Sequence, residues 1–415
     1  MVLCQNGNIF TFGIKFEFFV KNGFKIITML NFELKNPTKI LFGEGEIAKI
    51  SNEIPKNAKI LMLYGGGSIK KNGVYQQVMD ALKGHSVMEF SGIPANPEYA
   101  VLKEALEIIK KNDIDFLLAV GGGSVIDGTK FLAVASRYEG DSWDILKNRI
   151  RGNEGETMPF GVILTLPATG SEMNSGYVIS RRETNEKLSG GGSGLFPTFS
   201  ILDPNVVKSL PKNQIVNGIV DAYFHTLEQY MTHPTSADLQ ERFAESILIS
   251  LQETAPKVLT EVFDYDSAGN FMWCCTMALN GQLQKGVPTD WAIHAMGHEL
   301  TAYFGIDHAK TLAIVGASHY RYNFEKKKGK LAQYAERVWG ISEGTLEEKA
   351  LRGIEKMNEF FHSLGVKTKL SEYTEDYQGT AERVEKAFTE RGWLKIGEYG
   401  IITPQDAKNI IKMSY

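Results

Sequence analysis

Cysteine is scarce in this chain. Its three cysteines, Cys4, Cys274 and Cys275, cannot make a disulfide framework. Cys274 and Cys275 are adjacent inside the apolar stretch FMWCCTMALNG and read as buried core. Such usage belongs to a reducing compartment, so a cytoplasmic location is expected. An excess of one charge is also lacking. A formal net charge of −4 gives no reason to expect a nucleic-acid or anionic-membrane partner. The one dense basic run, Lys326 to Lys330, reads as a solvated helix end. The familiar fingerprints are missing too. HAMGH, from His294 to His298, has Ala295 where a metalloprotease carries its general-base glutamate. The first 28 residues are rich in aromatics, but Lys or Glu interrupts every apolar run. They have no signal-peptide core and are too broken to span a membrane. They read either as an extra strand or hairpin or, the favoured reading, as an extension upstream of the true start, with Met29 as the natural beginning of the domain and removal expected to be harmless.

Histidine, by contrast, is concentrated. Five of the eight histidines fall from His225 to His308. In DAYFH, Asp221 and His225 are four apart, and so are His294 and His298 in HAMGHELTAYFGIDH, with His308 ten further on. Residues four apart share a helix face, so each segment aims two ligand-type side chains at one point. Carboxylate with imidazole suits Fe²⁺ or Zn²⁺. Spacing alone does not separate His294 from His298.

Glycine carries the second signal. The apolar run Ile60 to Tyr64 leads straight into Gly65, Gly66, Gly67 and Ser68, and Phe116 to Val120 into Gly121, Gly122, Gly123 and Ser124. Both read as buried parallel strands followed by a turn and a helix, which gathers backbone N–H groups where phosphate is favoured. Neither loop is GxGxxG or GxxxxGK[ST]. A third strand, Phe160 to Leu166, ends in PATGSE, whose polar groups face the same crevice at the carboxyl ends of the strands.

At 415 residues, two domains are the natural expectation. Strand and helix patterns alternate from Met29 to Asp203, including a strand at Ser86 to Phe90. The glycine-rich Ser189 to Gly194 reads as a mobile hairpin or loop. From Pro204 on, amphipathic helical segments follow one another and strand patterns almost vanish.

These motifs, in this order, resemble the iron-containing (group III) alcohol dehydrogenases, and within them the NADPH-dependent aldehyde reductase and butanol dehydrogenase branch. The resemblance rests on GGGSVID with Lys130 nearby, TLPATGSE, Asp221-x3-His225 and His294-x3-His298-x9-His308, and runs from Leu30 to near the C-terminus. It implies an N-terminal Rossmann-like parallel-sheet domain over residues 29–203 and an all-α metal-binding domain over 204–415, the dehydroquinate synthase-like architecture, with the active site in a cleft between them. It implies Asp221, His225, His294 and His308 as ligands of one Fe²⁺ or Zn²⁺ ion, and His298 as a catalytic histidine near the nicotinamide. It implies cofactor contacts from Gly122, Gly123, Ser124, Asp127, Thr165, Thr169, Ser171 and Lys187, and a homodimer through the edge of the sheet.

The expected reaction is hydride transfer between NADP(H) and a small aldehyde or primary alcohol. The competing reading is a metal-dependent polyol or sugar-phosphate dehydrogenase or synthase of the same architecture. Phe271, Met272, Trp273, Trp291 and Tyr303 in the helical half favour an apolar aldehyde over a phosphorylated substrate. Cofactor choice follows from charge. NAD-using relatives place an Asp just after the first strand, where this chain has Gly65 to Gly67, and no carboxylate occurs from Ile60 to Met79. Small residues, Ser68, Lys70 and Lys71 instead suit a ribose 2′-phosphate.

Overall fold

In a computed structural model of the chain, residues 28–415 are described, with two short strands ahead of them, Phe19–Lys21 and Phe24–Ile26, that pair antiparallel. Apart from these strands, the expectation of a dispensable extension over residues 1–28 lies outside the described residues.

Eight strands follow: β1 Lys39–Phe42, β2 Lys59–Tyr64, β3 Ser86–Phe90, β4 Phe116–Gly122, β5 Phe160–Leu166, β6 Gly176–Arg181, β7 Glu186–Gly191 and β8 Phe199–Leu202. Six form one parallel sheet in the order β1-β8-β5-β4-β2-β3. The central strands are buried on both faces, which is why KILMLY and FLLAVGG read as continuous apolar runs rather than alternating ones. From β2 the chain steps outward to β3, then crosses back past β2 to β4. The turns Gly65–Gly67 and Gly121–Gly123 therefore flank the point where strand order reverses, the ligand crevice of open α/β sheets.

The helices of at least eight residues are α1 Val74–Ala81, α2 Tyr99–Lys111, α3 Gly123–Ala135, α4 Lys212–Tyr230, α5 Asp238–Val258, α6 Tyr265–Ala278, α7 Ala292–Phe304, α8 His308–Tyr322, α9 Phe324–Trp339, α10 Leu346–Ser363, α11 Thr380–Glu390 and α12 Pro404–Met413. Capping boxes begin α10 (Thr345 with Glu348) and α12 (Thr403 with Asp406, Pro404 in the first turn). No strand follows Leu202 among the described residues, and none of their helices is long and apolar enough to cross a membrane. The described residues form two units. One comprises Lys35–Ala222 with Glu253–Asn280. The other comprises Tyr223–Gln252, Gly281–Tyr415 and the described residues before Lys35.

Each unit has an aromatic core. In the sheet unit, Phe116 and Phe199 stack with centroids 6.3 Å apart, and a Cβ at Gly161 would fall 2.2 Å from the Phe199 ring. In the helical unit, Tyr223 and Phe224 pack against Phe361 at 5.6 and 5.2 Å. Of the mobile hairpin or loop that the Ser189–Gly194 composition implies, the structure shows a hairpin, and a closely packed one. Ser189, Gly190 and Gly191 end β7, paired with β6. Beyond them the chain passes so close to its neighbours that a Cβ at Gly192 would lie 2.0 Å from Gly152 O and one at Gly194 2.1 Å from Asn153 O. The glycines are there for close approach.

Gly218, inside α4, has the same role at a more consequential place. A Cβ there would meet Pro167 O at 2.4 Å and the Phe271 ring at 2.9 Å. The helix is thereby seated against the PATGSE loop one turn before Asp221. Gly218→Ala is expected to lower stability in urea unfolding by about 1–3 kcal/mol, the usual cost of overpacking, although alanine is the better helix former. An unchanged or raised midpoint would show that the approach is not tight.

Candidate metal centre and nucleotide loops

Helix α4 holds Asp221 and His225 one turn apart, both buried. The other donors come from an αα corner. Gly305, at φ 67, ends α7, and α8 begins three residues later at His308. His308 is thereby folded back beside the α7 histidines. Its ring centroid lies 5.3 Å from that of His294 and 4.8 Å from that of His298. His225 stacks on His294 at 4.7 Å, with the rings 16° from parallel. One ligand atom each from Asp221, His294 and His308 lie within 4.8 Å of one another. Burial holds His225 well below the usual imidazole range, reinforced by His294. It is therefore neutral, as a metal ligand must be. One carboxylate among imidazoles is a donor set that fits Fe²⁺ or Zn²⁺. His298 is half-buried and turned edge-on to His294, with centroids 6.4 Å apart.

Of the five aromatic or apolar residues expected near a substrate, Trp291 is the one in contact with this cluster among the described residues. It packs edge-on to His225 at 6.2 Å and His294 at 5.4 Å. Phe271 and Met272 are fully buried core. Trp273 packs on Phe42. Tyr303 lies under the Arg383 guanidinium, 4.2 Å from ring centroid to Cζ. Helical spacing alone does not distinguish the wall of a site from the interior of a core.

The glycine loops divide into two kinds. A Cβ at Gly122 would lie 2.8 Å from Leu166 Cβ, and one at Gly123 2.5 Å from Thr169 Oγ1. The β4 turn and the PATGSE loop are thus pressed together at the start of α3, a 13-residue helix. Thr169 Oγ1 accepts from Ser171 N, and Thr165 is buried on β5. At Gly66 and Gly67 nothing lies within 4 Å of where a Cβ would sit, so that backbone is open to a bound group. Gly65 is closer, 3.2 Å from Ile93 O. Ser68 and Lys71 are exposed. The Lys70 ammonium lies 4.7 Å over the Tyr75 ring and 5.3 Å over Tyr64, and 3.7 Å from Glu89, a carboxylate on β3 that accepts from both tyrosine hydroxyls.

Two buried lysines lock the loops. Lys130 is fully enclosed and donates to Ser171 Oγ at 2.8 Å, Asn174 Oδ1 at 3.0 Å and Gly176 O at 2.9 Å. Burial pushes its ammonium down to about 8, against the pull of Asp127 and Glu172. Asp127 accepts from Ser171 Oγ at 2.7 Å and Val178 N at 2.9 Å. Lys187 donates to Asn96 Oδ1 at 2.9 Å, and Asn96 N donates to Ser124 Oγ at 3.2 Å. Burial pushes Lys187 to about 8 as well, with Asp221 and Asp127 opposing. Sequence reasoning singled out Asp127, Ser171 and Lys187 but gave Lys130 no role and missed Glu228. Glu228 lies three residues after His225, at helical spacing, and that was the signal available.

Residues 37–204 match the family model of the iron-containing alcohol dehydrogenases, and residues 215–415 match that of the Fe-containing alcohol dehydrogenase family, C-terminal. The chain belongs to the iron-containing alcohol dehydrogenase family. It is an oxidoreductase, with the parallel sheet followed by helices that its motifs imply. It is 48% identical to the NADPH-dependent aldehyde reductase YqhD of Escherichia coli (strain K12), over 92% of this chain and 99% of that one. It is 40% identical to the probable NADH-dependent butanol dehydrogenase 1 of Bacillus subtilis, over 93% and 100%. The crystal structure of E. coli K-12 YqhD superposes with a TM-score of 0.90 at 46% identity, covering 94% of this chain and 100% of that one. The NADH-dependent butanol dehydrogenase A of Thermotoga maritima gives 0.88 at 36% identity, covering 93% and 99%.

In this family member the Lys130 cation is the most exacting element of the loop network. Lys130→Met is expected to cost about 3–5 kcal/mol in denaturant unfolding, because it leaves buried carboxylates without their counter-charge. A loss below about 1 kcal/mol, the scale of a surface ion pair, would mean that Asp127 and Glu172 are protonated in the native protein.

Proposed function

We propose that this enzyme reduces small aldehydes to primary alcohols with NADPH, at one divalent ion held by Asp221, His225, His294 and His308. The observation that carries the reading is the convergence of ligand atoms from Asp221, His294 and His308, with His225 stacked on His294. A bound Fe²⁺ or Zn²⁺ supplies Lewis acidity toward a carbonyl oxygen there, and the nicotinamide supplies hydride. The chain's own residues position and exchange protons. His298, half-buried beside His308, is the imidazole suited to hand a proton from solvent to the product oxygen. Trp291 supplies an apolar edge that suits a short alkyl chain.

The cofactor lies on Gly122, Gly123 and Ser124, with Thr165, Thr169 and Ser171 on the facing loop. Asp127 and the two buried lysines keep that surface in shape. Gly65 to Ser68, Lys70 and Lys71 take the adenosine ribose 2′-phosphate. Glu89 does not oppose this, because its oxygens are taken by Tyr64 and Tyr75 and its charge faces Lys70. YqhD is named for NADPH, whereas the B. subtilis and T. maritima relatives are named for NADH, so family membership alone does not decide the preference, and these residues support NADPH. We place the enzyme in the cytoplasm as a homodimer through an edge of the sheet, since an exposed edge strand invites pairing.

Two measurements test the reading. Butanal, methylglyoxal and glycerol, each assayed with NADPH and NADH on metal-loaded protein, should give turnover with the aldehydes and a higher kcat/KM for NADPH. Turnover of glycerol alone would redirect the assignment to polyols. Gly66→Asp has room for its side chain. It should shift the kcat/KM ratio toward NADH by about tenfold or more, as expected when one charge-assisted contact worth roughly 1.5–3 kcal/mol is lost. Equal values for the two cofactors in the wild-type enzyme would contradict the phosphate site.

A further inference from the structure

Glu228 is among the most enclosed carboxylates in the chain, with 1% of its surface exposed. It lies on α4, seven residues past Asp221 and three past His225, on the same helical stripe. The first turn of α7 closes around it. Its Oε1 accepts from Ile293 N at 2.7 Å, and its Oε2 from His294 N at 3.1 Å. Its Oε2 also faces His294 Nδ1 in a short contact. The Glu228 carbonyl accepts from Asp290 N at 2.9 Å, which ties the α4 end to the approach of α7. Between them Trp291 adopts a left-handed backbone, φ 64, unusual for a bulky residue. That turn points the opening N–H groups of α7 at the carboxylate.

The consequence is chemical. An ionised carboxylate only accepts hydrogen bonds, so the nitrogen facing it carries the proton. His294 is therefore held as the Nδ1–H tautomer, with the lone pair on Nε2. Metal-bound imidazoles are commonly oriented by such a carboxylate partner, which also raises their basicity. We propose that Glu228 is the positioning residue of the metal centre: it fixes the tautomer and ring orientation of His294, so that Nε2 is its donor atom. This rests on the metal-centre reading above. Glu228 is also placed to stabilise the N-terminus of α7 as an anion, so the test must separate the two roles.

The full-length protein is stripped with chelator and reloaded with Zn²⁺, and affinity is measured by chelator competition. Glu228→Gln is expected to bind Zn²⁺ about 10–100-fold more weakly than wild type, with helical circular dichroism unchanged. Nitrogen-15 histidine NMR of the zinc-loaded wild type should show His294 with Nδ1 protonated, its proton far downfield, and Nε2 shifted by metal. That resonance should move upfield in Glu228→Gln. Wild-type affinity in the variant overturns the role of Glu228 while leaving the metal centre standing. Zinc on Nδ1 of His294 in the wild type overturns it too, and that result is available even if the variant fails to fold. A wild type that takes up no zinc overturns the metal-centre reading itself, and Glu228 is then only a helix cap.

Discussion

Helix α4 is the constraint on which the site depends. Within two turns it must present Asp221, His225 and Glu228 along one stripe, while Tyr223, Phe224 and Leu227 fill the core on its other sides. Every residue from Asp221 to Tyr230 is buried, as expected of a helix packed all round. Such a helix cannot rotate to rescue a misplaced ligand, because any rotation would pull core side chains out and push polar ones in. Its seat is fixed by Gly218 against Pro167 and its far end by the Glu228 contacts with α7. The αα corner at Gly305 then has only to return His308 to histidines already in place.

Much of the fold was legible because the central strands of the sheet are buried on both faces. Strands such as FGVILTL read as apolar runs bounded by glycine or proline, and the structure gives β3 and β5 the same bounds, Ser86–Phe90 and Phe160–Leu166. A hairpin at SGGGSG was among the readings of the sequence, but its close packing was not legible. SGGGSG has no strand propensity, and what orders it is the backbone of Gly152 and Asn153, distant in sequence. Lys130 was equally opaque, since a lysine in GTKFLAVA reads as an exposed charge until Ser171, Asn174 and Gly176 close on it. The choice between His294 and His298 is the sharpest case. Both lie on one helix face at the same spacing, and a carboxylate 66 residues before His294 sits against the ring of His294. That information is tertiary and leaves no local pattern.

The glycine-loop side of the sheet shows how charge is rationed in a buried loop system. Lys130 serves the PATGSE loop and Lys187 the Asn96 turn, and each is pushed down to about 8 by burial while nearby carboxylates resist. Both therefore remain mostly cationic at neutral pH, and each immobilises backbone by donating to fixed acceptors. Lys70 is the contrasting case, an exposed cation above two tyrosine rings and 3.7 Å from Glu89, beside an open glycine turn. Interior lysines set the shape of the loops, and under the proposed function the exposed ones meet the cofactor's charge.

The central claim is that Asp221, His225, His294 and His308 form one metal centre from which His298 is excluded. Metal analysis of purified single alanine variants at these five positions, reloaded with Zn²⁺ under identical conditions, tests it most directly. The account predicts one equivalent in wild type and in His298→Ala, and a clear loss in each of the other four, with helical circular dichroism retained. A His298→Ala protein that loses its metal, beside a His294→Ala protein that keeps it, would contradict the account.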